Sequence, residues 1–237
     1  MQKHFKAAID QYSALIELDS QHLESYLTLR SDRFRDIGKL IESAADLDKA
    51  LSVNPSAGDY FKRARLYELE GNFKKAIEYL SLALDKDTKY SGAFSARGKC
   101  FARINKMNNA IADLTHAISL EKDERYTKPD NYVDRGFIYL TNDRLEEAKA
   151  DFEKAIELKK KRRDLNVTLD ENIDVYYGRA ILNFRTQKYD DALDDYLLWC
   201  KFQNWYSPSL VITGTIVLLI SVWIAISIIR RKKLKAV

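Results

Sequence analysis

The sequence predicts an all-α protein: helical hairpins repeated along the chain and stacked into a superhelix, followed by one membrane-spanning helix. Three observations carry this. Helix breakers are scarce, with 8 Gly and 3 Pro among 237 residues, while Lys, Glu, Leu and Ala are abundant. The chain overlays on itself when shifted by 34 residues. Leu210 to Ile229 is an uncharged run of 20 residues closed by the four cations Arg230 to Lys233.

The repeat is legible in the residues. GNFKKAIEYLSLALDKD (71–87) lies over NKMNNAIADLTHAISLE (105–121), and upstream Tyr60, Ala64 and Tyr67 lie over Phe94, Gly98 and Phe101. The pattern returns as Tyr132, Gly136, Tyr139, Ala148, Phe152 and Ala155. A looser copy follows as Tyr176, Ala180, Tyr189, Ala192 and Tyr196, and an earlier one reads Leu27, Ser31, Phe34, Gly38, Leu47, Ala50 and Pro55. The chain opens on half a copy, FKAAIDQYSALIELD (5–19), which matches 73–87. Small residues such as Ala64 and Gly98 let the second helix of a hairpin approach the first, and Ala76, Ala110, Ala148 and Ala192 let the next hairpin dock. One hairpin cannot bury its own apolar face, so the copies must stack.

This pattern resembles the tetratricopeptide repeat (TPR), a 34-residue helix–turn–helix unit with helices A and B. The expected repeats span 24–56, 57–90, 91–124, 129–162 and 173–206, about five copies plus the N-terminal half repeat. The fifth departs from the pattern, with Asn183 at an aromatic position and Trp199 at an alanine position, as suits an end repeat. Insertions separate the last repeats at 125–128 and 163–172. The resulting division is a repeat domain over 1–206, a short linker at 207–209, a transmembrane helix at 210–229 and a basic tail at 230–237.

The seventh position of every repeat is arginine: Arg30, Arg63, Arg97, Arg135 and Arg179. Sixteen residues later stand Asp46, Asp113, Asp151 and Asp195, with Tyr79 as the exception. In a hairpin these positions face each other, which predicts four Arg–Asp bridges rather than a row of ligand-binding cations.

The TPR resemblance implies a concave face lined by the A helices. In the early repeats it would hold Phe61, Arg65, Glu68, Lys99 and Arg103; in the later ones, Val133, Phe137, Leu140, Tyr177, Ile181 and Phe184. The expected groove therefore passes from charged to apolar and would take a protein or peptide, or else the helix preceding the membrane run. Some TPR proteins hold an acidic chaperone C-terminus through a carboxylate clamp. Neither register fits one: the first places Thr28, Asp32, Lys62, Gly92 and Ala96 at the clamp positions, and the second Phe61, Arg65, Ala96, Asp130 and Asp134.

No catalytic or cofactor signature is visible: no GxGxxG, GxxxxGK[ST], HExxH or GxSxG. Cys100 and Cys200 have no CxxC spacing, and His4, His22 and His116 lie far apart. The expectation is a non-enzyme with no metal and no cofactor. Asp190, Asp191, Asp194 and Asp195 read as solvated surface with one bridging member, and Cys200 as a packed thiol. The run KKKRR (159–163) reads as a solvated helix end favoured by the dipole, with a lipid or partner contact as the other reading.

Net charge is +4, but the last eight residues carry five cations, leaving 34 Lys and Arg against 35 Asp and Glu upstream. A balanced body excludes a nucleic-acid binder with a basic face. The run at 210–229 is about 30 Å long as a helix. Its thirteen Leu, Ile and Val residues favour insertion by about 4–8 kcal/mol. Trp199, Trp205 and Tyr206 precede it as an interfacial belt would. As written the chain is tail-anchored with cytosolic repeats, and the short basic tail resembles anchors of the mitochondrial outer membrane more than of the endoplasmic reticulum. The charge asymmetry across the run supports the opposite sidedness, with luminal repeats and a cytosolic tail. There the Asn166–Val167–Thr168 sequon would matter. The functional expectation is a membrane-anchored TPR adaptor or receptor; the alternative is a structural subunit whose repeats are permanently buried in a complex.

Overall fold

In the computed structural model, residues 2–121, 128–164 and 174–202 are described. They form helices joined by short turns, in two units, 1–122 and 123–237. The first unit holds α1 (Gln2–Leu18), a 3₁₀ turn (Ser20–His22), α2 (Leu23–Asp36), α3 (Leu40–Val53), α4 (Ala57–Leu69), α5 (Phe73–Lys86), α6 (Ser91–Arg103) and α7 (Met107–Leu120). The second holds α8 (Pro129–Thr141), α9 (Leu145–Asp164), α10 (Asp174–Arg185) and α11 (Tyr189–Phe202). Helix pairs α2–α3, α4–α5, α6–α7, α8–α9 and α10–α11 are the five expected hairpins, and α1 is the half repeat. Leu210–Ile229, the linker and the basic tail lie outside the described residues; among the described residues, no helix is long and apolar enough to cross a membrane.

Each hairpin turns the same way. The second residue after helix A takes positive φ in all five: Gly38 (78°), Gly71 (74°), Asn105 (61°), Asp143 (60°) and Gln187 (63°). The next amide then reaches back to a carbonyl of the last turn, as in Lys39 to Phe34 (2.8 Å), Asn72 to Tyr67 (2.8 Å), Lys106 to Phe101 (2.8 Å), Arg144 to Tyr139 (2.9 Å) and Lys188 to Asn183 (2.8 Å). These are Schellman closures, which satisfy carbonyls the helix end would otherwise leave open. Starts are also capped: the Ser56 hydroxyl accepts from the Asp59 amide, the Asn72 side chain accepts from the Lys75 amide, and Pro129 occupies the first turn of α8.

The packing is that of small residues facing large ones. In the first unit Ala64, Ala76, Ala83, Ala93, Ala110 and Ala117 are wholly buried beside Leu80 and Leu114. A Cβ on Gly98 would meet Leu114 at 3.0 Å and the Ala110 carbonyl at 3.2 Å, so α6 lies directly on α7. In the second unit one ring locks three helices. Phe152 of α9 is wholly buried, and a Cβ on Gly136 of α8 or Gly178 of α10 would come within 2.8 and 2.5 Å of it.

The bridges form in the four expected repeats, each through two guanidinium nitrogens. Arg30 meets Asp46 at 2.8 and 2.7 Å, Arg97 meets Asp113 at 2.7 and 2.9 Å, Arg135 meets Asp151 at 2.8 and 2.7 Å, and Arg179 meets Asp195 at 2.8 and 2.6 Å. The third nitrogen of Arg30 and of Arg97 donates to a serine of the preceding helix B, Ser13 at 2.9 Å and Ser81 at 3.0 Å. In the second repeat Tyr79 fills the aspartate's place, with its ring 5.1 Å from that of Tyr67. Arg63 turns instead to Asp48 of α3 (2.8 Å) and stacks over Tyr67 at 4.1 Å. The guanidinium row is therefore consumed by the fold.

Candidate functional site: the outer face of the A helices

In the first unit the A helices α2, α4 and α6 carry a polar ladder. Thr28 donates to Asp59 (2.6 Å) and Lys62 pairs with Asp32 (2.7 Å), stitching α4 to α2; Arg35 also reaches Asp32 (3.1 Å). Phe61 is half-buried with its ring 5.0 Å from Tyr90. Arg65, Lys99 and Arg103 are exposed, and Arg103 covers the Phe73 ring at 5.0 Å. Arg65 pairs with Glu68, whose Oε1 is enclosed with no hydrogen-bond partner. Burial raises the Glu68 carboxyl above the usual carboxylate range, against the pull of Arg65 and Lys99. The neighbouring Cys100 thiol is pushed up to about 12, by burial first and Glu68 second, which makes it inert.

The raised Glu68 carboxyl has a consequence for stability. Its contribution is present below the unfolded carboxylate pKa and lost as pH rises through the higher folded value. Glu68→Gln removes that ionisation, so the variant should gain on the parent as pH climbs from acid to neutral. Paired thermal melts across that range measure it, and a melting-temperature difference that stays flat or shrinks toward neutral pH would sink the assignment.

In the second unit the corresponding face is aromatic. Tyr177 of α10 is 40% exposed, its ring 6.5 Å from Phe137 and 5.0 Å from Trp199, which in turn lies 5.8 Å from Tyr196. Phe137 abuts Phe152 edge-on at 5.4 Å, and Phe184 abuts Tyr189 at 5.7 Å. Ile181 is half-buried. Val133 and Leu140, expected on the open surface, are 1% and 4% exposed and belong to the core, so the apolar stripe narrows to Phe137, Tyr177, Ile181 and Phe184. The helical pattern had placed both residues on the correct helix but not how deeply they are covered. Trp199, out of place for an alanine position, packs its plane on Tyr177, and Asn183 donates to Asp195 (3.1 Å), which joins it to the Arg179 bridge.

The acidic cluster divides as its spacing suggests: Asp195 is buried in its bridge, while Asp190, Asp191 and Asp194 are exposed. A cavity of about 400 Å³ opens beside it, lined among others by Lys149, Glu153, Arg179, Lys188, Asp191 and Asp194. Its lining mixes both signs, and its deepest charges already neutralise each other. Among the described residues no three His, Cys, Asp or Glu side chains gather where a metal could be held. Cys200 is a buried free thiol.

Stacked hairpins with closely facing small residues and one decorated helix face define a helical-repeat protein. Residues 60–87 and 129–162 match the family model described as Tetratricopeptide repeat. Among solved structures, the chain is similar to BtubC from P. vanneervenii (TM-score 0.69, 14% identity, covering 86% of this chain and 91% of that one). It is also similar to YrrB, a TPR protein with an unusual peptide-binding site (TM-score 0.62, 17% identity, covering 86% and 97%). At those identities the likeness is one of fold. Relatives by sequence include RNA polymerase II-associated protein 3 of Xenopus laevis, 34% identical over 113 residues, covering 48% of this chain and 16% of that protein. Another is the mitochondrial import receptor subunit TOM70 of Homo sapiens, 25% identical over 182 residues, covering 74% and 28%. DnaJ homolog subfamily C member 7 of Homo sapiens is 29% identical over 144 residues, covering 48% and 28%. The matched stretches thus span 16 to 28% of these relatives' own lengths.

Proposed function

We propose that this chain is a non-enzymatic adaptor that holds a protein or peptide on the outer face of its A helices while Leu210–Ile229 tethers it to a bilayer. Residues 1–206 then form the binding domain, 207–209 the linker, and 230–237 a basic tail across the membrane. The observation that carries the reading is the division of labour on the A helices. Their arginines, alanines and glycines at the repeat positions are spent on packing, whereas Arg65, Arg103 and Tyr177, although they touch Glu68, Phe73 and Trp199, present exposed surface. The likeness to a mitochondrial import receptor subunit supports a mitochondrial setting, and the short basic tail supports an outer-membrane anchor with the repeats on the cytosolic side.

The test is site-specific photo-crosslinking of the full chain in its native membrane. A crosslinker at Arg103 or Tyr177 should give discrete adducts that one at Leu82, exposed on helix B, does not. Adducts from every position alike would favour a permanently buried subunit. No adducts from either A-helix position would end the adaptor reading.

A further inference from the structure

Helix α9 is longer than its equivalents. The helices B of the other repeats, α3, α5, α7 and α11, each have 14 residues, whereas α9 has 20. Its last fully buried side chain is Leu158, after which come Lys159, Lys160, Lys161, Arg162 and Arg163. The six extra residues project about 9 Å past the level at which a helix B of this fold ends.

The end from which they project is defined by the second unit itself. Arg185, at the end of α10, donates to the carbonyl of Leu140 near the end of α8 (2.6 Å), so α8 and α10 run parallel. Tight turns reverse each of them into α9 and α11, so those two also run parallel; Lys149 and Glu153 of α9 share a cavity with Lys188 and Asp191 at the start of α11. The cationic end of α9 therefore lies at the same end of the unit as the end of α11. From Phe202 only seven residues lead to Leu210, a reach of at most about 25 Å.

We propose that the cationic end of α9 is a docking surface for the anionic phospholipid headgroups of the membrane in which the chain is anchored. This rests on the tether reading above, and it gives the repeats a second contact with the same bilayer. Five successive helical positions encircle the axis, which suits a lipid surface approached end-on better than a peptide laid along one face. Each cation held near an anionic surface strengthens the contact about fivefold at ordinary salt. The pairing of Lys161 with Glu157 (3.0 Å) is solvent-exposed and yields readily to such a surface. Docking requires anionic lipid on the face where the repeats lie, which is the cytosolic leaflet.

The experiment uses the full chain in vesicles, with Glu157→Cys carrying a fluorescent donor one turn before the cationic end and an acceptor on the lipid headgroups; both native thiols are buried. Energy transfer should rise on going from phosphatidylcholine to phosphatidylserine-rich vesicles, fall back in high salt, and stay low in K160Q/K161Q/R162Q/R163Q. Lys160 and Lys161 are exposed, and the variant should melt like the parent. Equal transfer in both lipids, or an unchanged response in the variant, would overturn the docking surface. The tether is read separately, as retention in phosphatidylcholine vesicles after alkaline carbonate. Release there defeats the tether, while salt-sensitive, serine-lipid-dependent flotation would still support the docking surface.

Discussion

Phe152→Ala should cost the second unit about 3–5 kcal/mol, the range for emptying a fully enclosed aromatic site. The ring has no alternative filler. Gly136 and Gly178 approach so closely that a Cβ on either would come within 2.8 Å of the ring, and their missing side chains cannot swing in to occupy the void. Phe137, edge-on at 5.4 Å, loses that contact and retains Tyr177 at 6.5 Å. Urea unfolding of the full chain in mild detergent, followed by tryptophan fluorescence, measures the loss selectively, because the three tryptophans (Trp199, Trp205 and Trp223) all follow residue 122. Gly178→Ala should also destabilise, by about 1–3 kcal/mol as an overpacked core does. Combined with Phe152→Leu, which vacates the space that the new methyl needs, it should cost less than the two single changes added together. A midpoint for Phe152→Ala within experimental scatter of the parent would mean the three helices do not meet on this ring.

What the sequence discloses here is what repetition amplifies. A single Arg and Asp sixteen residues apart means little, but four such pairs at one register single out the hairpin that brings them together, and the turn closures follow at the same spacing. The second repeat resists the rule because the partner changed: Tyr79 occupies the aspartate's place, and Arg63 turns to Asp48 on the preceding hairpin, fifteen residues back, a direction that the hairpin rule does not search. The turns were only partly legible. Gly38 and Gly71 announce a left-handed residue, whereas Asn105, Asp143 and Gln187 adopt the same φ with side chains that signal it weakly or not at all. The end of α9 was legible: KKKRR (159–163) reads as a helix end, since Lys and Arg are good helix formers and their charge favours a helix C-terminus, and α9 runs to Asp164.

The exposed face of the A helices was legible in side but not in depth. Periodicity tells which way an A-helix residue points relative to its own partner helix. It cannot tell how much surface neighbouring elements cover, and Val133 and Leu140 vanish into the core while Tyr177, at an equivalent position one repeat on, remains 40% exposed. Trp199 shows the complementary case. Its bulk at an alanine position marks a departure, and the structure gives that departure a role, since the indole lies against Tyr177 and forms one wall of the exposed aromatic cluster.

Asp151→Ala should be as damaging as the loss of Phe152, about 3–5 kcal/mol, for an electrostatic reason. The pair it breaks is nearly dry, with Arg135 and Asp151 side chains 14% and 7% exposed. The arginine cannot shed its proton, so removing the carboxylate strands its charge where water has little access. Replacing both partners, as Arg135→Met with Asp151→Leu, removes the stranded charge and should recover most of the loss, because a buried ion pair contributes more to specificity than to net stability. The second repeat should behave alike: Asp48 is 52% exposed, but the Arg63 side chain is only 9% exposed and its Nη1 is enclosed without a hydrogen-bond partner, so Asp48→Ala also strands a guanidinium and should cost a similar amount. Denaturant midpoints for the three variants decide the matter. If Asp151→Ala leaves the midpoint within experimental scatter of the parent, the arginine row is not held in place by the fold, and its members become available to a bound anion after all.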